Sequence, residues 1–299
     1  MDDDEFNNMN NSNNDPNAVR IRLPCISLGT QFYENYNQRY TSKEAREESY
    51  LSFIKNFICP NLELISPTTG IALLNILIYL IMVLFGVDEN DKANFLPIRS
   101  KTLDIFGNFN IEKMQSNQIT QLYRWIMNIF LYPNLTFLTI NTIGLLLIGS
   151  IIEKLTSKLT FIGIFFISGF IGTASTSYAN KDITVGINTP LYGLFGAFVT
   201  CCCFNWKEMK RMLGEWGCFY LLYVNIMYFS FSFIYYLSFK QINVLGHMTG
   251  TLFGFWSFLA LMKLRPDETE FKKNIKYIML VCLCIYSVFT FGYFYIAMK

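Results

Sequence analysis

The chain has few charged residues and only one histidine. Charged residues make up 15% of the 299 residues, whereas a soluble domain carries about 25%. Hydrophobic residues account for 52%, and they fall in runs of about 20, the length that crosses a bilayer. The net charge of +2 gives no support for nucleic-acid binding. These shortages exclude an ordinary soluble domain and predict an all-α protein that crosses the membrane several times.

Cysteine pairs with metal-binding spacing are also absent. The eight cysteines include Cys201, Cys202 and Cys203 in one apolar run, and no two of the eight form a CxxC pair. Thiols in apolar helices usually pack as small hydrophobic side chains. The sequence therefore predicts no metal site, and no motif indicates a cofactor.

Composition divides the chain into three regions. Residues 1–60 are polar, begin with an acidic, Asn-rich tract and lack the basic-then-apolar pattern of a signal peptide. We expect them to be partly disordered, with a short amphipathic helix at 43–57. Residues 61–264 hold six apolar spans, and residues 265–299 hold a seventh. The spans are expected at about 69–87, 126–152, 159–178, 189–204, 216–239, 244–262 and 275–297, with a polar loop at 88–120 and a basic loop after the fourth span.

The distribution of basic residues favours one orientation in the membrane. Lys and Arg number 16 in the N-terminal region and in the loops after spans two, four and six, against 8 on the opposite side. Cytoplasmic loops carry an excess of Lys and Arg. The sequence therefore predicts a cytosolic N-terminus, and the fourth and sixth spans then both begin on the outer side.

Two glycine-marked spans are predicted to pack together. Small residues allow membrane helices to approach each other closely. Such packing would bring Asn188, at the start of the fourth span, close to His247, near the start of the sixth. The glycines concerned are Gly186, Gly193 and Gly196 in the fourth span and Gly250 and Gly254 in the sixth.

Several motifs follow one another between residues 123 and 262. They are Tyr123-Arg124, Asn141, Gly149-x-x-x-Glu153, Ser168-Gly169, the segment from Val185 to Ala197, and His247 with Gly250 and Gly254. Together they resemble the motifs of the rhomboid family of intramembrane proteases. The resemblance implies a six-helix rhomboid-like core with one added C-terminal helix, and structural roles for Arg124, Glu153 and the five glycines.

The sequence departs from the family pattern at two positions that matter for catalysis. The family's nucleophile is the serine of Gly-x-Ser-Gly, and here Asn188 stands in its place, followed by Thr189. The family also has a histidine in the second helix that helps to stabilise the oxyanion, and Phe137 replaces it, while Asn141 and His247 remain. An amide nitrogen is a poor nucleophile, and losing one oxyanion donor costs about 10²–10³-fold in rate.

These departures predict a catalytically inactive rhomboid-like protein that binds transmembrane segments of client proteins in the lipid bilayer. Asn188, His247 and Asn141 would then form a vestigial site. The alternative is an active intramembrane serine-type endopeptidase with an atypical nucleophile, for which Thr189 is the candidate. A shift of one residue turns a helical side chain by about 100°, which disfavours it. A transporter or a purely structural protein is a third interpretation. It is disfavoured because His247 is the one ionisable residue predicted inside the spans, apart from charges at their ends.

Overall fold

The computed structural model is a bundle of helices. It describes residues 63–116, 120–176, 188–238, 244–262 and 269–296. Within these ranges the regular structure is helical, apart from one isolated bridge between Val87 and Ile98. The all-α fold class is therefore confirmed. The N-terminal region 1–60, its expected helix at 43–57 and Gly186 lie outside the described residues.

Eleven α-helices follow one another in the described part of the chain. A 3₁₀ turn at Asn128–Phe130 precedes α5, and a π-helical segment at Leu145–Gly149 joins α5 to α6, so that Leu135–Leu155 forms one continuous rod. The helices are α1 (Pro67–Phe85), α2 (Ser100–Phe106), α3 (Ile111–Ser116), α4 (Tyr123–Met127), α5 (Leu135–Gly144), α6 (Ser150–Leu155), α7 (Lys158–Thr176), α8 (Asn188–Phe204), α9 (Trp206–Ser238), α10 (Val244–Leu261) and α11 (Glu270–Ile296).

Five stretches of helix in the described residues are long and apolar enough to cross a membrane. They are Pro67–Phe85, Leu135–Leu155, Lys158–Ser175, Cys218–Tyr235 and Glu270–Tyr293. The chain is therefore a multi-pass integral membrane protein in a lipid bilayer. The fourth predicted span, α8, is shorter: its 17 residues reach about 25 Å, less than the roughly 30 Å of the hydrocarbon core. Neither α8 nor α10 is among the five, so the count of seven spans stays a prediction.

The second span begins later than the apolar run suggests. We expected it to start near Ile126, but α5 starts at Leu135. The side chain of Asn134 caps this helix, because its Oδ1 accepts a hydrogen bond from the Phe137 amide at 2.9 Å. The Asn134 Nδ2 in turn donates to Asn94 Oδ1 at 3.0 Å. Capping, rather than hydrophobicity, therefore sets this boundary.

The helix that contains the fifth span begins earlier than the span itself. We placed its start near Trp216 and a basic loop before it, but α9 already starts at Trp206. Lys207, Lys210 and Arg211 are thus helical rather than part of a loop. Lys, Arg, Met, Leu and Glu dominate this stretch and are strong helix formers. Hydropathy located the membrane-crossing part of the helix, which starts at Cys218, but not the helix itself.

The polar loop between the first two spans is tied to α1. It contains the short helices α2 and α3. Asn75 of α1 donates from Nδ2 to the Tyr132 hydroxyl at 3.0 Å, and the Tyr79 hydroxyl donates to the Leu96 carbonyl at 2.6 Å. Burial raises the pKa of the Tyr132 phenol, so this hydroxyl stays protonated. The loop is therefore a packed part of the bundle.

The bundle is centred on α8 and α10, which make the most extensive contact among the described helices. A Cβ added at Gly196 of α8 would overlap the Thr251 carbonyl of α10. A Cβ added at Gly254 of α10 would overlap the Gly193 carbonyl of α8. Both contacts therefore require glycine, and α7 packs against the same pair of helices.

Gly250→Leu is expected to destabilise the bundle, because even a Cβ at this position overlaps the Thr189 carbonyl. Overpacking a well-packed site costs about 1–3 kcal/mol, and overlap with backbone places this variant at or above the upper end. The measurement is the midpoint of thermal unfolding in detergent. Gly292→Leu is the control, since a Cβ at Gly292 meets nothing within 4 Å. Equal midpoints for the parent and Gly250→Leu would contradict the close contact.

Candidate functional site

The first turns of α8 and α10 carry two of the candidate site positions, 188 and 247. Helix α8 begins at Asn188, and His247 lies in the first turn of α10. Tyr192 follows Asn188 by four residues, so the two positions share one face of α8. The Tyr192 ring meets the His247 ring edge-on, with 4.2 Å between centroids. The face of α8 that carries positions 188 and 192 therefore contacts α10 at His247.

Aromatic rings from two helices surround His247. Only 4% of the residue is exposed. Besides Tyr192 of α8, the ring of Phe233 on α9 lies edge-on with 6.0 Å between centroids. The imidazole is thus held at the junction of α8, α9 and α10 and is shielded from solvent.

The Tyr192 hydroxyl connects this junction to α9. It lies 3.4 Å from Ser232 Oγ and donates to the Phe229 carbonyl at 3.4 Å. Ser232 donates to the same carbonyl at 3.0 Å. The sequence analysis included Tyr192 in the segment that matches the family but gave it no role at the site, and it missed Ser232. The available signal was the spacing of Tyr192, one helical turn after the position of the family's nucleophile.

Asn141 and Phe137 lie one turn apart on α5. The Asn141 amide donates from Nδ2 to the Phe137 carbonyl at 2.8 Å, a bond within its own helix. Phe137 is 6% exposed, and its ring lies 5.9 Å from that of Tyr235 on α9. A phenyl ring has no hydrogen-bond donor. The position at which the resemblance expects an oxyanion-binding histidine is thus occupied by a packed hydrocarbon ring.

Thr189 is packed between helices. It is 3% exposed, and its Cγ2 methyl lies against Gly172 of α7 and Gly250 of α10. The side chain therefore enters the interface of α7, α8 and α10, whereas the Tyr192 face of α8 contacts His247.

Tyr228 forms a polar link between α9 and α5. Its hydroxyl donates to the Ile140 carbonyl in the middle of α5. The phenol ring lies against Gly144, where an added Cβ would overlap it. The π-helical segment begins at the next residue, and such segments often occur near functional positions. No sequence motif marked Tyr228.

Arg124 anchors the loop before α5. Its guanidinium is buried, donates to the Asn108 carbonyl at 2.8 Å and lies 3.2 Å from Asp104 Oδ1. Its Nε donates to Gln121 Oε1 at 2.5 Å. A buried arginine with these partners holds several chain segments together, and none of them belongs to the His247 junction.

Glu153 ties the end of α6 to the start of α1. Its Oε2 accepts hydrogen bonds from the Thr68 amide at 3.2 Å and from the Thr68 hydroxyl at 2.7 Å. A carboxylate at a helix N-terminus satisfies a free N–H group and interacts favourably with the helix dipole. The geometry gives Glu153 a capping role.

Metal-ligating side chains are dispersed in the described ranges. There, no group of three or more His, Cys, Asp or Glu side chains has an arrangement that holds a metal ion. Cys201, Cys202 and Cys218 are buried.

Comparisons with known proteins agree with this architecture. The Rhomboid domain model matches residues 119–264. Rhomboid-like protease 1 of Toxoplasma gondii is 29% identical over 140 residues, 45% of each chain. RHOMBOID-like protein 6, mitochondrial, of Arabidopsis thaliana is 28% identical over 186 residues, which are 61% of this chain and 57% of the relative. Putative rhomboid protease YdcA of Bacillus subtilis is 26% identical over 145 residues, 47% of this chain and 68% of the relative.

The matched domain contains the elements that build the site. It runs from α4, with Arg124, to the end of α10, with His247 and the glycines that face α8. The chain spans about half the length of the first two of these relatives. The helical membrane fold, the motifs in their chain order and the matched model agree, and the chain carries a domain of the rhomboid family at residues 119–264.

Proposed function

We propose that this rhomboid-family protein is catalytically inactive and binds transmembrane segments of client proteins within the bilayer. The observation that carries the proposal is Asn188 at the position of the family's serine nucleophile. The relatives named as proteases support the alternative of an active endopeptidase. The packing of Thr189 between α7 and α10 weighs against that alternative.

The missing groups are the ones that perform the chemistry of a serine protease. A histidine accelerates acyl transfer by taking a proton from a hydroxyl nucleophile. Removing the nucleophile of a serine protease costs about 10⁶-fold in kcat, and removing an oxyanion donor costs a further ~10²–10³-fold. Asn188 supplies no hydroxyl, and Phe137 supplies no donor. His247 then remains as a residue that joins helices.

The proposed lateral entry for a client lies between α5 and α9. Only 28% of the apolar window of α9 is buried inside the bundle, against 61% for the α5–α6 rod. Long side chains bridge the two helices, through the Tyr228 hydroxyl on the Ile140 carbonyl and the contact of Phe137 with Tyr235. Among the described residues, a client helix that separated α5 from α9 would break the hydrogen bond of Tyr228 to Ile140 and the ring contact of Phe137 with Tyr235.

The parent protein is expected to be inert to a fluorophosphonate probe, because position 188 carries no hydroxyl. Asn188→Ser should label weakly at most, since Phe137 still provides no oxyanion donor. Asn188→Ser with Phe137→His should label faster than the single variant, by up to about 10²-fold. In-gel fluorescence of purified protein measures each rate, with His247→Ala added as the control. Labelling of the parent that is lost in His247→Ala would contradict inactivity.

Tyr228→Phe is expected to increase client capture, because it removes the hydrogen bond to Ile140 and keeps the ring. Interhelical hydrogen bonds in membranes contribute about 0.6 kcal/mol, which corresponds to roughly threefold. The probe is a biotinylated single-span peptide with a photoreactive leucine and a central Gly-Pro pair. Crosslinking is quantified in proteoliposomes, with Tyr223→Phe, a 60% exposed tyrosine on the same helix, as the matched control.

An all-leucine peptide of equal length tests the choice of client. Greater capture of the Gly-Pro peptide than of the all-leucine peptide is expected. Equal capture by the parent, Tyr228→Phe and Tyr223→Phe would contradict entry between α5 and α9. Absence of crosslinking to either peptide in all three proteins would contradict client binding.

The N-terminus is proposed to lie in the cytosol and the C-terminus on the opposite side. The support is the 16-to-8 distribution of Lys and Arg. Terminal epitope tags in selectively permeabilised cells measure the orientation. The N-terminal tag is expected to be accessible from the cytosol. A C-terminal tag on the cytosolic side would contradict the orientation.

A further inference from the structure

Thr189 lies where three helices meet. It belongs to the first turn of α8, and its Cγ2 methyl faces Gly172 of α7 and Gly250 of α10. The residue is 3% exposed. We refer to Thr189, Gly172 and Gly250 as the three-helix junction.

The methyl group of Thr189 occupies the space that a side chain at position 172 would need. A Cβ added at Gly172 would overlap Thr189 Cγ2 and would lie 3.3 Å from the Gly250 Cα. A Cβ added at Gly250 would lie 3.1 Å from the same methyl. The Thr249 hydroxyl donates to the Leu245 carbonyl of its own helix at 2.7 Å and also lies 3.2 Å from the Gly172 carbonyl, so α7 and α10 approach each other closely at this level. The two glycines thus form a notch that the methyl fills.

The threonine has little freedom to move out of this notch. A β-branched side chain has few χ1 rotamers on a helix. The Thr189 carbonyl is itself in contact with Gly250, so the backbone of the first turn of α8 is held as well. With glycine at position 189, the notch would be empty at Gly172. A cavity of the size of one methyl group destabilises a packed interior, and an additional methyl group destabilises it as well.

We propose that Thr189 is a packing residue whose methyl group, fitted into the notch of Gly172 and Gly250, fixes α8 against α7 and α10, and that its hydroxyl group has no part in catalysis. Only the statement about the hydroxyl group rests on the proposed function; the packing role of the methyl group is independent of it. Residues 172 and 189 are therefore coupled: a methyl group is accommodated at one position or at the other, but not at both.

A double-mutant cycle in the full chain tests the coupling. Gly172→Ala is expected to lower the midpoint of thermal unfolding in detergent by about 3–8 °C, because its Cβ overlaps the Thr189 methyl. Thr189→Ser, which removes only the methyl, should cause a smaller loss. The double variant should recover most of the loss seen in Gly172→Ala. Gly292→Ala is the control, because nothing lies within 4 Å of its added Cβ. Additive losses in the double variant would overturn the proposal.

Thr189→Val separates the methyl group from the hydroxyl and needs no second substitution. It retains a methyl in the notch and removes the hydroxyl, so its midpoint should lie above that of Thr189→Ser. A loss in Thr189→Val that exceeds the loss in Thr189→Ser would overturn the packing assignment. If the parent proved able to cleave a substrate and Thr189→Val abolished cleavage, the proposed function would fail, and the cycle would still report separately on the coupling.

Discussion

The close backbone contact between α8 and α10 is the constraint on which the rest of the structure depends. It requires glycine at positions where an added Cβ would overlap a carbonyl of the partner helix, as at Gly196 and Gly254. Membrane helices gain little from hydrophobic association, because lipid tails are as apolar as their side chains. Close van der Waals packing therefore carries the association. The same contact places Tyr192 against His247 and gives Thr189 its position between α7 and α10.

The contacts of the candidate site residues do not depend on a serine at position 188 or a histidine at position 137. The contacts of His247 with Tyr192 and Phe233 join three helices and require no neighbouring nucleophile. Asn141 bonds within its own helix, and Phe137 packs against α9. The residues at positions 188 and 137 therefore differ from the family pattern without loss of these contacts. Client binding is proposed on this helical scaffold.

Periodic and compositional signals predicted the fold well. Features that depend on contacts between residues distant in the sequence could not be predicted in this way. The all-α class, the apolar spans and the glycine faces follow from local patterns. The start of α5 depends on the Asn134 cap, and the start of α9 on helix propensity beyond the apolar window. The candidate site residues His247 and Asn141 were found by motif. Tyr228 was missed, because its partner is a backbone carbonyl 88 residues away that no side-chain pattern reveals.

Proteolysis by the parent protein is the most direct test of the account. The purified full chain is reconstituted in proteoliposomes with a single-span substrate that carries a helix-breaking Gly-Pro pair. Cleavage products are quantified by mass spectrometry beside the His247→Ala variant. The account predicts no cleavage by the parent above the level of His247→Ala. Efficient cleavage by the parent that is lost in His247→Ala would contradict it.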